Sequence, residues 1–519
     1  MNESRQDRMA GIDRRTVLKA IVAGASASFV GLPRASAAPS ATDDLVELSA
    51  RNAVDLIRRG DLSAERYARA LFEKYNAHRN LNTVTYIDET RLLAAARAVD
   101  QARAKGDALG PLAGLPVMLK DNINTVGFPT TAGSPFLKDY MPKANAPLAD
   151  ILFKNGAILF AKSNMHELAM GSTSANLVFG AVKNPYDLAR IPGGSTGGTA
   201  AALAARIVPA GFGTDTSGSC RMPAHFCGVA GFRPSNPKGG SPYPVDGIVP
   251  NVLDFDIPGP LARTVADIAL IHFAITGEPM VAPADLRGVR LGLPRAYFWE
   301  TVDPDVETAI NASLDKLRSA GATVVEVDLG NVVQAALPLI SILNAEGKRV
   351  DLAAFLAREV PQITMADAIA GVASKSLRAR LQAAVDKPAP PELVQKARAS
   401  MDDLGRQYDE ACRRQSVMAI AFPAVPVPAP LLPTDGDMLP ARLEINGHTY
   451  PDSVILRNSL PAPFYRAPAL TIPAGLVPSG LPVGLELNGL RGDDPRLLAV
   501  GMAIENVLGP TPPPTFRNG

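Results

Sequence analysis

Little in this chain points to metal, thiol or nucleotide chemistry. Three cysteines (Cys220, Cys227 and Cys412) cannot build a disulfide framework, and their spacing fits no zinc site. One pair stays open, and reduced, buried thiols are the expectation. His166-Glu167 opens an H-E-x-x-H pattern, but Met170 stands where the second histidine would be, so His166 reads as a structural side chain. Charge of one sign is also missing. Lys and Arg number 52 against 51 Asp and Glu, leaving neither a basic stripe for nucleic acid nor an acidic tail for a basic partner. No G-x-G-x-x-G opens a helix, and no glycine turn runs into Gly-Lys-Ser/Thr, so nothing here cradles a nucleotide. No segment after residue 37 offers the roughly 20 apolar residues that span a bilayer.

What is present is a globular balance, 47% hydrophobic and 20% charged, over a length that suits one large domain or two ordinary ones. The first residues stand apart from it. Arg14-Arg15 with Val17-Leu18-Lys19, the apolar run Ala20 to Val30 and Ala35-Ser-Ala37 form a basic region, a short hydrophobic region and an A-x-A cleavage site. The paired arginines resemble a twin-arginine export signal. Residues 1–37 are therefore expected to be a signal peptide, with the mature domain at 38–519, periplasmic or secreted and without stable membrane insertion.

Apolar periodicity predicts helices between Asp44 and Gln101, at Leu148 to Asn155 before Gly156, and at Thr199 to Arg206. Strands are predicted at Leu115 to Leu119, Ala157 to Ala161 and Ile207 to Gly213. Strands alternating with helices imply an α/β layered sheet, with sites in the loops at strand ends. Between about 280 and 460 the pattern loosens, apart from a strand near Val289 to Leu293 and a helix near Asp303 to Ala320. Prolines at 388 to 391 and 423 to 430 interrupt it. This stretch is expected to cover the site and shape a substrate pocket. Strand patterning resumes near Ala469 and Leu481, and Leu497 to Leu508 closes the chain as a helix.

Three blocks carry chemistry: Gly114-Leu-Pro-Val-Met-Leu-Lys120-Asp-Asn, Pro192-Gly-Gly-Ser195-Thr-Gly-Gly198 and Gly213-Thr-Asp-Thr-Ser-Gly-Ser219-Cys-Arg-Met-Pro223. A serine hydroxyl attacks a carbonyl poorly unless a base takes its proton. No histidine lies inside these blocks. A lysine can serve if burial keeps it neutral, which requires its pKa to fall from about 10.4 towards the working pH. Lys120 ends an apolar strand, which favours burial.

These blocks, with Lys162-Ser-Asn-Met-His-Glu-Leu-Ala-Met-Gly171 and Gly480-Leu-Pro-Val-Gly-Leu-Glu-Leu, resemble the amidase signature family over nearly all of the chain after residue 44. The resemblance implies a single large domain with a central mixed, twisted β-sheet covered by helices on both faces. It implies Ser219 as nucleophile, Ser195 as a bridging serine after a cis peptide bond, and Lys120 as base. The backbone N–H groups of Thr216, Ser217, Gly218 and Ser219 correspond to an oxyanion hole. Ala169, Met170 and Gly171 correspond to a segment lining the substrate carbonyl, and Asp215 and Arg221 to residues that hold the loop. Ser217 and Thr196 depart from the family, which commonly has Gly and Ser there. The implied reaction is hydrolysis of a carboxamide through an acyl-enzyme, with a neutral-to-alkaline optimum and neither metal nor cofactor. A homodimer is compatible with it.

Within the family the Ala161 to Gly171 block and Asn184-Pro-Tyr-Asp look most like indoleacetamide and mandelamide hydrolases, which makes small arylacetamides the expected substrates. Hydrolysis of esters, carbamates, anilides or peptide amides on the same fold stays open. So do an amidotransferase subunit supplying ammonia to charged tRNA and an inactive binding protein. A further reading comes from Gly193-Gly-Ser195-Thr-Gly197, which satisfies the G-x-S-x-G elbow and would make Ser195 the nucleophile with His225, His272 or His448 as base.

Overall fold

A computed structural model of the chain describes residues 41–237, 240–434, 436–438 and 442–517. The expected export segment, residues 1–37, lies outside the described residues. Eleven strands form one sheet: β1 (Val84–Tyr86), β2 (Pro116–Lys120), β3 (Ile158–Ser163), β4 (Ala210–Asp215), β5 (Ala230–Arg233), β6 (Ile257–Ala262), β7 (Arg290–Leu293), β8 (Thr323–Glu326), β9 (Ala419–Pro423), β10 (Ala469–Leu476) and β11 (Pro482–Gly489). Their order across the sheet is β1-β3-β2-β4-β6-β5-β10-β11-β9-β7-β8. Pairing is parallel in β3-β2-β4 and again in β9-β7-β8, and antiparallel through the strands between. This is the mixed α/β sheet that the resemblance implies.

Both faces of the sheet are covered, and β2 shows why. Side chains alternate faces along a strand. Val117 and Leu119 enter one hydrophobic cluster with Phe212, while Met118 enters another with Ala200 to Ala204. A strand buried on both sides reads as a continuous apolar run, as Leu115 to Leu119 does.

Small residues set the close packing next to the site. The helix Gly197–Ala204 is buried along its whole length. A Cβ on Gly198 would lie 2.3 Å from the Asn164 carbonyl oxygen and 2.6 Å from that of Thr83. On β4, a Cβ at Gly213 would lie 2.2 Å from Thr196 Cγ2. Glycines at these positions let the start of this helix rest directly on the strand ends.

Two sequence expectations need correction. The Asp44 to Gln101 stretch is not all helix, because β1 lies within it and pairs antiparallel with β3 at the sheet edge. The loosely patterned region also holds long helices, Gly330–Glu359 of 30 residues and Pro391–Arg414 of 24. Helix Gly330–Glu359 buries residues into two clusters and carries Pro338 inside it, which blurs a one-face period. In the second helix the prolines come at its start, where a missing N–H costs nothing, rather than within it. Among the described residues no helix is long and apolar enough to cross a membrane.

Candidate active site

Parallel strands β2 and β4 end side by side, and each delivers part of the site from its last residues. Lys120 is the final residue of β2 and is fully buried. Its Nζ donates to Ser195 Oγ at 2.7 Å and to Thr214 Oγ1 at 2.9 Å. Asn122 Nδ2 donates to the same Thr214 hydroxyl at 3.2 Å, fixing the lysine's second partner. Burial lowers the Lys120 pKa to about 8, while Cys220, Asp256 and Asp215 act in the opposite direction. Desolvation therefore wins over the nearby negative charge.

Ser195 sits in the glycine turn that opens helix Gly197–Ala204, and the Gly194–Ser195 peptide bond is cis. Its carbonyl accepts from the His166 backbone N–H at 3.2 Å. Ser219 lies in the loop after β4. The Asp215 carboxylate accepts from Gly218 N–H at 2.9 Å and Cys220 N–H at 3.2 Å, the residues on either side of Ser219. Gly218 takes φ +104°, and a Cβ there would lie 2.4 Å from Ser459 Cβ. The structure thus differs from expectation at one donor, since the Gly218 N–H is already taken by Asp215. The N–H groups of Thr216, Ser217 and Ser219 donate to no acceptor among the described residues.

The loop is held by a balanced set of four fully buried charges. Arg221 donates to Asp215 at 3.0 and 3.1 Å and to the Ser459 carbonyl at 3.0 Å, and it pairs with Glu486. Arg233 pairs with Asp215 at 3.3 Å. Burial alone would raise the Asp215 pKa, but the two guanidinium groups hold it well below the usual carboxylate range. Breaking such a buried pair leaves unpaired charge behind. Arg221→Met is expected to destabilise the fold by about 3–5 kcal/mol, read as a lower urea midpoint in denaturation.

Ser219, Thr216 and Ser217 line one side of a 190 Å³ cavity together with Ala169, Met170 and Gly171. Lys120 and Ser195, joined to each other by a hydrogen bond, are not among its lining residues, and Asp215 and Arg221 brace the loop that carries Ser219. Residues without a local signal complete the wall: Asn251, Asn344, Lys348, Arg380, Asp452 and the apolar Met438, Leu456 and Leu460. Asn251 Nδ2 donates to the Ala169 carbonyl at 3.0 Å. Asp256 accepts from Thr216 Oγ1 at 2.5 Å and from Asn251 N–H at 2.7 Å, tying two walls together. Thr214 lies within the third glycine-rich block, and its place beside Asp215 is a signal that could have found it. Asp256 and the wall residues carry no such signal.

The histidines are engaged elsewhere. His225 lies between the Gly484 N–H (2.9 Å) and the Val427 carbonyl (3.3 Å), and burial lowers its pKa to about 4. His272 contacts Tyr243 and Glu278, each at 3.0 Å, and His448 is exposed on the hairpin strand His448–Pro451. The Ser195 hydroxyl therefore has no imidazole partner among the described residues, which removes the support for the elbow reading. His166 is buried, 3.2 Å from both Thr173 Oγ1 and Asp437 Oδ2, in the structural role expected of it. All three cysteines are free and buried, and burial pushes the Cys220 thiol up to about 12.

Comparison with known proteins gives the following similarities. The family model described as Amidase matches residues 66–498. The chain is 35% identical to an indoleacetamide hydrolase of Agrobacterium vitis, covering 88% of this chain and 96% of that protein. It is 33% identical to a mandelamide hydrolase of Pseudomonas putida, over 92% of this chain and 94% of that one. The solved peptide amidase of Stenotrophomonas maltophilia superposes with a TM-score of 0.77 at 26% identity, covering 91% of this chain and 99% of that chain.

Proposed function

The chain belongs to the amidase family, and on that footing we propose that it hydrolyses a small arylacetamide-type carboxamide to the carboxylate and ammonia. Ser219 attacks the amide carbon, Ser195 carries its proton, and Lys120 receives it. The observation that carries this reading is the buried 2.7 Å contact between Lys120 Nζ and Ser195 Oγ, in a fold whose Ser219 lines a cavity.

The chemistry follows from these residues. Neutral Lys120 takes the Ser195 proton as Ser195 takes that of Ser219. Negative charge then develops on the substrate oxygen, where the unengaged N–H groups of Thr216, Ser217 and Ser219 can receive it. Such preset donors are worth about 10²–10³ in rate each. The relay runs backward to protonate the leaving nitrogen, and water releases the acyl group from Ser219. Met170, Met438, Leu456 and Leu460 supply apolar surface for an aromatic ring.

The substrate class rests on the likeness to the indoleacetamide and mandelamide hydrolases and on this apolar lining. Purified protein assayed for ammonia release across indoleacetamide, aliphatic amides, glutamine and peptide amides tests it, with aryl esters followed separately. Turnover of indoleacetamide with the highest kcat/KM is expected. Hydrolysis of aryl esters with none of indoleacetamide would overturn the choice, and preferential release of ammonia from glutamine would favour an amidotransferase role. We further propose that residues 1–37 direct export by the twin-arginine route, with Ala38 opening the mature catalytic domain. Retention of an Arg14→Lys/Arg15→Lys variant in the cytoplasm, against periplasmic wild type, is the expected result.

A further inference from the structure

Three polar groups behind the base lack partners among the described residues, and all three residues line one small space. A cavity of about 10 Å³ lies where β2 and β4 end, lined by Asn122, Thr214, Asn251 and Asp256 among apolar neighbours. Asn122 Nδ2 donates to Thr214 Oγ1 at 3.2 Å and to the Val249 carbonyl at 3.3 Å, which fixes the orientation of that amide. Asn251 Nδ2 donates to the Ala169 carbonyl at 3.0 Å and is fixed in the same way. Both Oδ1 atoms are buried and accept nothing among the described residues. The Asp256 carboxylate, by contrast, is filled by Thr216 Oγ1 and by the Asn251 and Val252 N–H groups.

The third group is the Thr214 hydroxyl proton. A hydroxyl has two acceptor positions and one proton. Lys120 Nζ at 2.9 Å and Asn122 Nδ2 at 3.2 Å occupy the acceptor positions, and the proton finds no other acceptor among the described residues. Turned towards Nζ instead, that proton would occupy the lone pair that has to receive the Ser195 proton across the 2.7 Å contact. An acceptor placed on the other side of Thr214 prevents this. A cation in the cavity would satisfy the two amide oxygens but repel the Thr214 proton, whereas water both accepts and donates. A water needs on the order of 10–15 Å³ and two to four polar partners, so this space takes a single one.

We propose that the cavity binds one water molecule, which accepts the Thr214 proton and donates to Asn122 Oδ1 and Asn251 Oδ1, and that Asn122 and Asn251 thereby act as positioning residues for Lys120. This rests on the reading of Lys120 as the base of a serine amidase. No bond is made or broken at the water. It sets the direction of the hydrogen bonds around Nζ and keeps the lone pair aimed at Ser195. Asn251 also lines the cavity that holds Ser219, so the same water joins the substrate wall to the group that takes the proton.

High-resolution crystallography of the wild type reads the site directly, and one water within about 2.7–3.2 Å of Thr214 Oγ1, Asn122 Oδ1 and Asn251 Oδ1 is expected. A dry cavity, or a water out of reach of Thr214, would overturn the proposal even if no variant folds. In Asn122→Leu the alkaline plateau of kcat on phenylacetamide is expected to fall about 10- to 100-fold with KM nearly unchanged. The midpoint of kcat/KM against pH, near pH 8 in the wild type, should move down by about one unit, because a Thr214 proton turned to Nζ favours the neutral amine. Asn251→Leu leaves Asn122 in place and should move the midpoint the same way. A lower plateau with an unmoved midpoint marks a merely structural effect and, like a shift in Asn122→Leu alone, would remove the water link. Absence of amide turnover in the wild type would instead remove the amidase reading, with crystallography still deciding the site.

Discussion

Replacing Ser219 with alanine is expected to lower amide turnover by on the order of 10⁴-fold or more, as removal of a serine nucleophile does in other hydrolases. Fluorophosphonate labelling should disappear with it. Stability should hardly change, because Ser219 Oγ makes no hydrogen bond among the described residues and the loop around it is held by Asp215 and Arg221. That pairing of outcomes separates a nucleophile from a structural residue. Ser195→Ala should also be severely impaired, since the link from Lys120 to Ser219 is cut. Near-wild-type activity in Ser219→Ala beside an inactive Ser195→Ala would reverse the two roles.

Lys120→Met should be nearly as damaging, and the pH dependence of the wild type shows why. An ammonium has no lone pair to accept the Ser195 proton. With burial lowering the Lys120 pKa to about 8, kcat/KM on a neutral amide should climb tenfold per pH unit below that value and level off above it. A methionine side chain would fill a similar volume but accept nothing, so the variant should lose both the rate and the titration. Stability carries an independent sign. The folded pKa lies below the ordinary lysine value of 10.5, so between about pH 8 and 10.5 the unfolded chain binds more protons and stability rises with pH. Lys120→Met should remove its share of that rise, leaving the shares of Lys162 and Lys348, which burial also lowers to about 8, and at neutral pH it should be neutral or stabilising, because no ammonium is then buried. A flat kcat/KM profile between pH 6 and 9 would rule out Lys120 as the base.

Much of the site was legible because it is built locally. The apolar run before Lys120 reads as a strand buried on both faces, and so it is. The glycines around Ser195 and Ser219 mark turns, and the structure shows what they permit: close contact of helix Gly197–Ala204 with β4, and a positive φ at Gly218. Legibility stops at the details of donor use. The family resemblance offers every N–H from Thr216 to Ser219 to the substrate, whereas Asp215 removes the Gly218 N–H by a side-chain bond that only the folded loop reveals. It stops also between 280 and 460, where proline content hid two long helices.

By itself the sequence determined the residue types, their order and the strand ends that carry them, because turns, alternation and helical period are short-range properties of the chain. Tertiary structure alone decided that Lys120 meets Ser195, 75 residues away, and that both are dry enough to share a proton at ordinary pH. It also decided the far wall of the cavity, where Lys348 and Arg380 arrive on separate helices to lie near Ser219. Their charge is plain in the sequence, but what it faces is set by how those helices pack against the sheet.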